Sequence, residues 1–475
     1  MSSEEDFDLV VIGGGPAGYG AALYAGSAGL SVALVERDKI GGTCLHRGCI
    51  PAKELLETAT VSRTVREAHE FGVIANGPDG PASDPGLDFS VTQARKQRII
   101  DQLTAGVEGL LKRRKAKIFA GIGRLGAGRT VTVEAEDGST TKIRGERVLL
   151  CAGSVPRTLR GFEVDGNRVM TSDEVLAMPA IPASAAVIGG GAIGCEFASM
   201  MADLGSSVTI LEGLDQIVPG TDRDISKALT RSFSKRGIEV RTGVRVNGHT
   251  PTQGGTLVHL EGADDIEVEA VVVSIGRRPF ADHLGLEGTG VVVDDRGYVQ
   301  VDSTCRTGEP GVYALGDLID SPALAHVGFA EAILVVKDIL GEDPAPVDYN
   351  NVPWAIYCHP EVAFAGMTER KARDAGIEVL VSKHRFSGNG RAMIVNETDG
   401  LVKIIAEKNA DGTGGRILGV HMMGPWVTEQ LGQGYLAVNW EATVDEVAEF
   451  IQPHPTMSEL FGESVLAMTG RSLHG

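Results

Sequence analysis

Two cysteines separated by four residues, Cys44 and Cys49, have the spacing that most directly indicates chemistry; they lie in the stretch GGTCLHRGCIPAK at residues 41–53. Pro51 suits the first turn of a helix, because its missing N–H costs nothing there. Cys49 is therefore predicted at a helix N-terminus, where the aligned peptide dipoles favour a thiolate. Lys53, one helical turn further on, would add positive charge beside it. We predict a redox-active dithiol.

A structural disulfide and a metal site are the alternatives for this pair. The other four cysteines are scattered along the chain and do not form the framework of a small secreted protein. For zinc, His46 could be a third ligand, but no second cysteine pair offers a fourth. Both alternatives are disfavoured, and no metal is predicted.

A stretch typical of a dinucleotide-binding unit precedes the dithiol. Residues 8–12 predict a buried strand, Gly13-x-Gly15-x-x-Gly18 a turn, residues 19–28 a helix and residues 31–36 a second strand. The first glycine allows the tight turn, the second lets the backbone approach a pyrophosphate, and the third lets helix pack on strand. The helix N-terminus would bind phosphates, and Glu36 would accept hydrogen bonds from a ribose.

The same unit recurs 176 residues later. Residues 186–212 share 11 of 27 positions with residues 10–36; Gly189, Gly191 and Gly194 repeat the three glycines, and Glu212 repeats the closing glutamate. Two units in register predict two bound dinucleotides. After Glu212 no Lys or Arg appears before Arg223, so a 2′-phosphate would lack a cation and NAD is favoured over NADP. The first unit leads into the dithiol and fits a flavin, which accepts electrons from thiols.

The remaining chain predicts further alternation of helices and strands. A long helix at 91–114 and a small β meander at 117–148 separate the two units, and buried strands at 148–154 and 271–276 would close each nucleotide-binding domain. A strand and turn at 312–317 precede a helix at 323–340. Beyond a linker at residues 344–346 we predict an α+β domain, with strands at 379–386, 400–407 and 417–423 and helices at 428–438 and 444–450.

Length and composition exclude several classes of protein. The 475 residues exceed the size of a single hydrophobic core, so about three or four domains are expected. A net charge of -19 disfavours nucleic-acid binding and makes a basic partner more plausible. The acidic N-terminus lacks the features of a secretory signal, and no apolar run approaches the ~20 residues that span a bilayer. We therefore expect a cytoplasmic protein without membrane insertion.

The dithiol, the two nucleotide units and a closing His-Pro-Thr-x-Ser-Glu at residues 454–459 resemble the pyridine nucleotide-disulfide oxidoreductases, and most closely their dihydrolipoamide-oxidising branch. Residues 322–326 (PALAH), 357–363 (YCHPEVA) and 417–421 (ILGVH) are also similar. The resemblance implies an α/β fold with two Rossmann-like domains. It implies an FAD-binding domain with the dithiol at 1–150, an NAD-binding domain at 151–276, a central domain completing the FAD site at 277–346 and an α+β dimerisation domain at 347–475.

The resemblance also implies which residues contact the cofactors. Besides the glycines and Glu36, the flavin side would be formed by Gly42, Thr43, Lys53, Gly121, Asp317 and Ala325. The nicotinamide side would be formed by Glu196, Glu212, Val244 and Gly276, in addition to its glycines, with Glu196 paired to Lys53 near the flavin.

The implied reaction is the FAD-dependent oxidation of protein-bound dihydrolipoamide with reduction of NAD+. His454 would ionise the substrate, Glu459 would orient His454, Cys44 would form the mixed disulfide, and Cys49 would be the charge-transfer thiolate next to the flavin. The implied assembly is a homodimer in which each active site takes its His and Glu from the other subunit, with lipoyl domains and the E2 core of a 2-oxo acid dehydrogenase complex as partners.

Four positions depart from the family's usual pattern. His46 and Arg47 stand where Asn-Val is frequent, Gln452 stands where the dihydrolipoamide-oxidising enzymes commonly have a further His, and Phe280 replaces an Asn. The alternatives are therefore an NAD(P)H-dependent reductase of another low-molecular-weight disulfide, or a flavoprotein diaphorase or NADH oxidase. The sequence leaves open which 2-oxo acid complex or glycine-cleavage system it would serve.

Overall fold

The computed structural model describes residues 5–74, 76–77, 80–81 and 86–474. The chain forms two compact units made of interleaved stretches. Unit 1 comprises Met1–Leu55, Ser90–Arg157 and Gly276–Tyr349, and unit 2 comprises Leu56–Phe89, Thr158–Ile275 and Asn350–Gly475. Most of the first and third predicted domains therefore falls in unit 1, and most of the second and fourth in unit 2. The division into four domains stays a prediction.

The strands are mostly short, and several of them were predicted to within two residues. In chain order they are β1 Glu5–Ile12, β2 Val32–Glu36, β3 Asn76–Gly77, β4 Gly80–Pro81, β5 Lys117–Ala120, β6 Ile122–Leu125, β7 Thr130–Glu134, β8 Thr140–Leu150, β9 Ser154–Pro156, β10 Val169–Met170, β11 Ser184–Ile188, β12 Ser207–Glu212, β13 Glu239–Thr242, β14 Val246–Pro251, β15 Thr256–Leu260, β16 Ile266–Val268, β17 Ala270–Val273, β18 Arg277–Pro279, β19 Val312–Ala314, β20 Trp354–Ile356, β21 Glu361–Gly366, β22 Val379–Arg385, β23 Leu401–Lys408 and β24 Gly414–Gly424.

The helices include several that the sequence did not predict, most of them short, although α7 has 13 residues. In chain order the helices are α1 Pro16–Ser27, α2 Gly42–Arg47, α3 Cys49–Glu67, α4 Phe89–Arg113, α5 Ser172–Ala177, α6 Ala192–Asp203, α7 Arg223–Lys235, α8 Ala325–Ile339, α9 Glu369–Asp374, α10 Gly390–Ile394, α11 Val427–Asn439, α12 Val444–Ala448 and α13 Glu459–Leu466.

A seven-stranded sheet organises unit 1. Its path runs β5-β2-β1-β8-β7-β6, and β19 also pairs with β8. The first four strands and β19 are parallel, which is the arrangement that βαβ crossovers produce. The strands near its centre are almost fully buried, with Leu9 to Val11 and Val148 to Leu150 at 0% exposure. α1 and α8 pack against each other beside this sheet, where Tyr19 and Phe329 make an edge contact.

The predicted meander at 117–148 is partly wrong. β5 pairs parallel with β2, so residues 117–120 extend the nucleotide-binding sheet; only β6, β7 and β8 form antiparallel neighbours. β8 continues through residue 150, because its second half is the buried strand that pairs with β1. The alternation of sequence polarity could not distinguish these two roles of one long strand.

Unit 2 contains the second nucleotide-binding sheet, with strand order β10-β17-β11-β12-β13 and all pairs parallel. β17 and β12 flank β11 as β8 and β2 flank β1, so the repeat predicted from the sequence is present in the topology. A three-stranded antiparallel sheet, β14-β15-β16, follows. The C-terminal part is a five-stranded antiparallel sheet, β20-β21-β24-β23-β22, covered by α11, α12 and α13.

Within the ranges that the structure describes, no helix is long and apolar enough to cross a membrane. A cytoplasmic location stays a prediction.

Candidate active site

The two predicted redox cysteines lie on consecutive helices, and both belong to the part of the chain that forms unit 1. Cys44 lies within α2, and Cys49 is the first residue of α3, which confirms the helix start expected from Pro51. Gly48 separates the helices, and a Cβ there would lie 3.0 Å from the Thr43 carbonyl oxygen. The close turn between the cysteines therefore favours glycine. α2 itself was not predicted, because two glycines at its start lower helix propensity.

The two thiols are electrostatically unequal. Hydrogen bonding of Cys44 to Cys49 is the main cause that raises the pKa of Cys44 above its ordinary value; burial adds to the rise, and the charge of Lys53 opposes it. Burial, followed by the proximity of the two sulfurs, raises the pKa of Tyr19 to about 12. Cys49, as the first residue of α3, is the sulfur whose position at a helix N-terminus favours negative charge.

The loop that carries the cysteines is tied to the segment after β2. His46 Nε2 lies 2.8 Å from the Ile40 carbonyl oxygen, and the Arg47 guanidinium forms an ion pair with Asp38. These contacts give the two residues that depart from the family's usual Asn-Val a local structural role.

The first glycine-rich turn has the geometry that the sequence predicts. Gly13 has a φ of 110°, and a Cβ on Gly18 would lie 1.8 Å from the Gly13 carbonyl oxygen. Glu36 accepts hydrogen bonds from the backbone N–H groups of Gly14 at 2.6 Å and of Asp38 at 2.8 Å. Its carboxylate is thereby fixed at the end of β2, beside the turn.

The N-terminus of α1 fits the pyrophosphate of FAD. Its N-cap is Gly15, which has no side chain to accept the first N–H groups, and its first turn contains no acidic residue. Five other helices, α5, α7, α9, α10 and α12, have side-chain caps. Uncapped N–H groups together with the helix dipole favour an anion. The glycine also leaves the approach to these groups clear of a side chain.

The dithiol segment packs directly on this loop. Gly42, the first residue of α2, has a φ of 58°, and a Cβ there would lie 2.6 Å from the Gly15 Cα. Two glycine backbones thus meet at a distance that no side chain permits. This contact holds Cys44, two residues further on, beside the loop that fits FAD.

The second glycine-rich turn repeats this geometry in unit 2. Gly189 has a φ of 104°, and a Cβ on Gly194 would lie 1.9 Å from the Gly189 carbonyl oxygen. Glu212 accepts a hydrogen bond from the Gly190 N–H at 2.7 Å. Gly191 is the N-cap of α6, again without a side-chain cap or an acidic first turn. These residues fit NAD for the same physical reasons.

Asp317 lies in a 3-10 turn after β19 and has two neighbours that the sequence analysis missed. The Ser154 hydroxyl donates to Asp317 Oδ2 at 2.5 Å, and Arg277 Nε donates to the Ser154 hydroxyl oxygen at 2.7 Å. Arg277 Nε also lies 3.9 Å from Asp317 Oδ2. Ser154 and Arg277 belong to the paired strands β9 and β18. The Gly-Arg-x-Pro stretch at 276–279 is the signal that could have identified the arginine.

The other predicted flavin contacts lie on elements of unit 1. Thr43 is on α2, Lys53 on α3 and Ala325 is the first residue of α8, while Gly121 follows β5 with a φ of 149°. Their contacts with FAD, and the pairing of Lys53 with Glu196, stay predictions.

The other predicted NAD contacts lie on elements of unit 2 or immediately after them. The Val244 N–H donates to the Glu212 carbonyl oxygen at 3.0 Å, and Gly276 follows β17 with a φ of 101°. Glu196 is buried in α6 and accepts a hydrogen bond from the Tyr357 N–H at 2.9 Å. Their roles in binding also stay predictions.

The predicted general base has the expected orienting partner. His454 Nδ1 lies 2.8 Å from Glu459 Oε1, and the second carboxylate oxygen accepts the Thr456 N–H at 2.7 Å. The His454 side chain is 79% exposed, whereas that of Glu459 is 23% exposed. A carboxylate that accepts a hydrogen bond from Nδ1–H leaves Nε2 as the nitrogen with a free lone pair. The pair can therefore present Nε2 to a substrate as a proton acceptor.

The two remaining departures from the family's pattern are both in contact with neighbours. Gln452 Nε2 donates to Gln433 Oε1 at 3.3 Å, which links the His454 loop to α11. The Arg37 guanidinium lies over the Phe280 ring, with its carbon 4.3 Å from the ring centroid. Phe280 therefore pairs with the residue that follows Glu36.

Comparison with known proteins places this geometry in a family. The model described as "Pyridine nucleotide-disulphide oxidoreductase" matches residues 7–332, and the model of the same family's dimerisation domain matches residues 352–465. The chain belongs to the pyridine nucleotide-disulphide oxidoreductases. This membership confirms the predicted fold class, the predicted enzyme class and the use of FAD and NAD, and the dimerisation domain supports the predicted homodimer.

Individual members of the family are similar to the chain over its whole length. A dihydrolipoyl dehydrogenase of Bacillus subtilis is 42% identical, with 99% of each chain covered. Dihydrolipoyl dehydrogenase 3 of Pseudomonas putida is 37% identical, with the same coverage. The crystal structure of LpdA from Mycobacterium tuberculosis superposes with a TM-score of 0.89 at 26% identity, covering 98% of this chain and 99% of that one.

In the part of the chain that the structure describes, no group of three or more His, Cys, Asp or Glu side chains could hold a metal ion.

Proposed function

We propose that this pyridine nucleotide-disulphide oxidoreductase oxidises protein-bound dihydrolipoamide to lipoamide through Cys44 and Cys49 and reduces NAD+ to NADH. The observation that carries the proposal is the hydrogen-bonded cysteine pair, on a segment whose Gly42 packs against Gly15. The choice of substrate is supported by the dihydrolipoyl dehydrogenases to which the chain is similar from end to end.

The first step is thiol-disulfide exchange at Cys44. His454 takes the proton of one dihydrolipoamide thiol, and the resulting thiolate attacks the Cys44 sulfur of the Cys44–Cys49 disulfide. The bond between the cysteines breaks, a substrate–Cys44 disulfide forms, and Cys49 leaves as a thiolate. Cys49 suits this part because it begins α3, where the helix dipole stabilises negative charge.

The second step releases lipoamide. The remaining substrate thiol releases its proton to solvent, and its sulfur attacks the substrate sulfur bonded to Cys44, which closes the lipoamide ring. Cys44 leaves and takes a proton, which the imidazolium of His454 can supply. The raised pKa of Cys44 suits this end point, because its thiol stays protonated beside the charged Cys49. Glu459 keeps the imidazole oriented through the 2.8 Å contact with Nδ1.

The cofactors complete the oxidation. When bound, FAD accepts the electron pair of the dithiol and transfers it as a hydride to NAD+. Gly13, Gly15, Gly18, Glu36, Gly42, Thr43, Lys53, Gly121, Asp317 and Ala325 would hold FAD. Gly189, Gly191, Gly194, Glu196, Glu212, Val244 and Gly276 would hold NAD. Residues 1–150, 151–276, 277–346 and 347–475 would act as the FAD, NAD, central and dimerisation domains.

The homodimer would bring the base to the dithiol. Large apolar side chains within the stretch that matches the dimerisation domain are exposed, with Trp440 at 76%, Phe450 at 69% and Ile451 at 96%, and such side chains are commonly covered by a partner. The family resemblance implies that His454 and Glu459 of one subunit serve Cys44 and Cys49 of the other. Lipoyl domains and the E2 core of a 2-oxo acid dehydrogenase complex would be the macromolecular partners.

Replacing Cys44 by Ser tests the relay. We expect the oxidation of dihydrolipoamide by NAD+ to fall at least ~1,000-fold, because serine forms no disulfide. The transfer of electrons from NADH to a dye should survive, since it bypasses the thiols. Steady-state assays of both reactions on the same preparation provide the measurement. Equal loss of both activities would contradict the thiol relay.

A matched pair of histidines tests the base. His474 Nδ1 lies 3.1 Å from Glu463 Oε1, and its side chain is 80% exposed, so it resembles His454 in setting. His454→Gln should lower dihydrolipoamide oxidation by ~100-fold or more, as removal of a general base does. His474→Gln should leave it unchanged. Similar effects of both substitutions would remove His454 from the mechanism.

Substrate choice separates the proposal from its alternatives. The purified dimer should oxidise dihydrolipoamide at least ~100-fold faster than reduced glutathione, and should prefer NAD+ to NADP+. Faster turnover of glutathione or another small thiol would favour the general disulfide reductase. NADH consumption with oxygen but without any disulfide turnover would favour the diaphorase or oxidase.

A further inference from the structure

Glu331 is a completely buried carboxylate that the proposed mechanism does not use. It lies on α8 and is 0% exposed. Its Oε2 accepts a hydrogen bond from the Gly316 backbone N–H at 2.6 Å, and its Oε1 accepts one from the Tyr349 hydroxyl at 2.9 Å. Burying a carboxyl group is costly unless hydrogen bonds replace its water. This residue is therefore held in place by specific partners on two different segments of unit 1.

The backbone group that Glu331 binds belongs to the turn that carries Asp317. Gly316 has a φ of 71°, a conformation that favours glycine, and it immediately precedes Asp317. The Ser154 hydroxyl holds the Asp317 carboxylate from the other direction. The turn is thus fixed through its backbone by Glu331 and through its side chain by Ser154.

The same turn lies against the start of α1. A Cβ on Gly316 would lie 3.0 Å from the Ala17 Cβ, and a Cβ on Gly328, in α8, would lie 3.2 Å from the same atom. Ala17 is two residues beyond Gly15, the uncapped N-cap that fits the pyrophosphate. Glu331 therefore connects α8 to a turn that borders the phosphate-binding end of α1.

We propose that Glu331 is a positioning residue for FAD, whose carboxylate keeps the Gly316–Asp317 turn against the first turn of α1 by accepting the Gly316 N–H. The inference rests on the proposed role of Asp317 in binding FAD. Without this acceptor the partly buried Gly316 N–H would lose its hydrogen-bond partner, and the turn would move to find another. Tyr349 fixes the second oxygen and with it the orientation of the carboxylate.

Two substitutions separate the hydrogen bond from the rest of the side chain. Glu331→Gln keeps an oxygen for Gly316 and an amide that can donate to the Tyr349 oxygen, whereas Glu331→Ala removes both contacts. We expect the dissociation constant for FAD to rise about tenfold or more for Ala and to stay within about threefold of wild type for Gln. The measurement is flavin fluorescence during reconstitution of the full-length dimer. An unchanged Ala variant, or a Gln variant as weak as Ala, would overturn the proposal.

Asp338 is a matched control on the same helix. Its carboxylate accepts the Tyr313 hydroxyl at 2.9 Å and Arg306 Nε at 3.0 Å. Asp338→Ala should lower the melting temperature without changing the dissociation constant for FAD. If it weakens FAD binding as much as Glu331→Ala does, general loosening of α8 explains the effect and positioning does not.

Two further variants keep the test decisive. If Glu331→Ala does not fold, Tyr349→Phe replaces it in the test, since Tyr349 is only partly buried. This variant should weaken FAD binding about threefold, and no change would overturn the proposal.

Asp317→Ala tests the assumption that Asp317 binds FAD. If it leaves FAD binding intact, the role of Asp317 fails, and the inference with it. If it weakens FAD binding while Glu331→Ala does not, only the inference about Glu331 fails.

Discussion

The two glycine-rich turns are nearly superimposable in their own geometry. Their first glycines have φ values of 110° and 104°, and a Cβ on their third glycines would lie 1.8 and 1.9 Å from the first glycine's carbonyl oxygen. The closing glutamates accept the intervening N–H at 2.6 and 2.7 Å. Both helices begin with an uncapped glycine whose φ is -70° or -72°.

The surroundings of the second glycine differ. At Gly15, a Cβ would lie 4.0 Å from the Gly42 Cα, and in the opposite direction a Cβ on Gly42 would lie 2.6 Å from the Gly15 Cα. The Asp317 turn and α8 also pack on the first turn of α1. At Gly191, a Cβ would have no heavy atom within 4 Å among the residues that the structure describes.

This difference matches two uses of one motif. A turn covered by its own chain suits a cofactor that stays bound through many turnovers, which is how FAD must act between the dithiol and NAD. An open turn suits a cofactor that arrives oxidised and leaves reduced in every cycle. The two turns therefore share the dinucleotide-binding motif and differ in the segments that pack on it.

Replacing Gly42 by Ala should have the largest effect on this contrast. The new Cβ would collide with the Gly15 backbone and push the Gly42 segment away from the first glycine-rich turn. Gly42 also has a φ of 58°, so a side chain there strains the backbone. We expect FAD binding to weaken about 100-fold, equivalent to ~3 kcal/mol. Retained flavin after gel filtration, measured by absorbance, checks this.

Gly191→Ala is the corresponding change in the open turn. Its Cβ meets no neighbour and its φ is ordinary, so FAD content should stay at the wild-type level while the KM for NAD+ rises because the methyl group intrudes on the pyrophosphate. Loss of FAD in this variant to the same degree as in Gly42→Ala would show that the two turns are not independent.

The sequence predicted the repeated turns because their physics is local. Tight turns, helix starts and closing acids depend on residues within about 25 positions of one another, and the glycines report them directly. The packing on the first turn depends on Gly42, Gly316 and Gly328. The fold brings these residues together, and no local sequence pattern connects them. The sequence therefore predicted the two sites but not the packing that distinguishes them.

The same reasoning separates successes from errors elsewhere. Cys49 at the start of α3 followed from the single residue Pro51, and the contact between His454 and Glu459 agrees with the pairing that the family resemblance implied. The strand at 117–120 was assigned to the meander because its partner, β2, is more than 80 residues away. Ser154 and Glu331 were missed because only the fold brings them to the Asp317 turn.

Replacing each closing glutamate by glutamine should have a smaller effect. These two variants test whether each glutamate serves only its own cofactor. Glu212→Gln removes a charged acceptor for the ribose, so the KM for NAD+ should rise about tenfold while FAD content stays constant. Glu36→Gln should do the reverse, weakening FAD binding about tenfold without changing the KM for NAD+. Steady-state kinetics and flavin titration provide the two measurements.

The same pair of variants also tests the coenzyme preference. Loss of the Glu212 charge removes repulsion from a 2′-phosphate, so the ratio of NAD+ to NADP+ activity should fall in Glu212→Gln and not in Glu36→Gln. If either substitution altered both cofactors equally, the two units would have to be treated as one coupled site.

Phe280→Asn should give the smallest effect, confined to the covered turn. The substitution restores the family's usual residue and removes the ring that lies under Arg37, next to Glu36. A partly exposed cation–π contact contributes about 0.5–1 kcal/mol, so FAD binding should weaken about two- to fivefold with no change in the KM for NAD+. Arg37→Ala should have a similar effect. The double variant should bind FAD no more weakly than either single variant, because both substitutions remove the same contact.

Tyr298→Asn is the control: it breaks the comparable contact with Arg296 and should leave FAD binding unchanged. Strictly additive effects of the Arg37 and Phe280 substitutions would mean that each residue acts alone. In that case only Gly42 and the Asp317 turn, and not the contact between Arg37 and Phe280, would form the packing around the first turn.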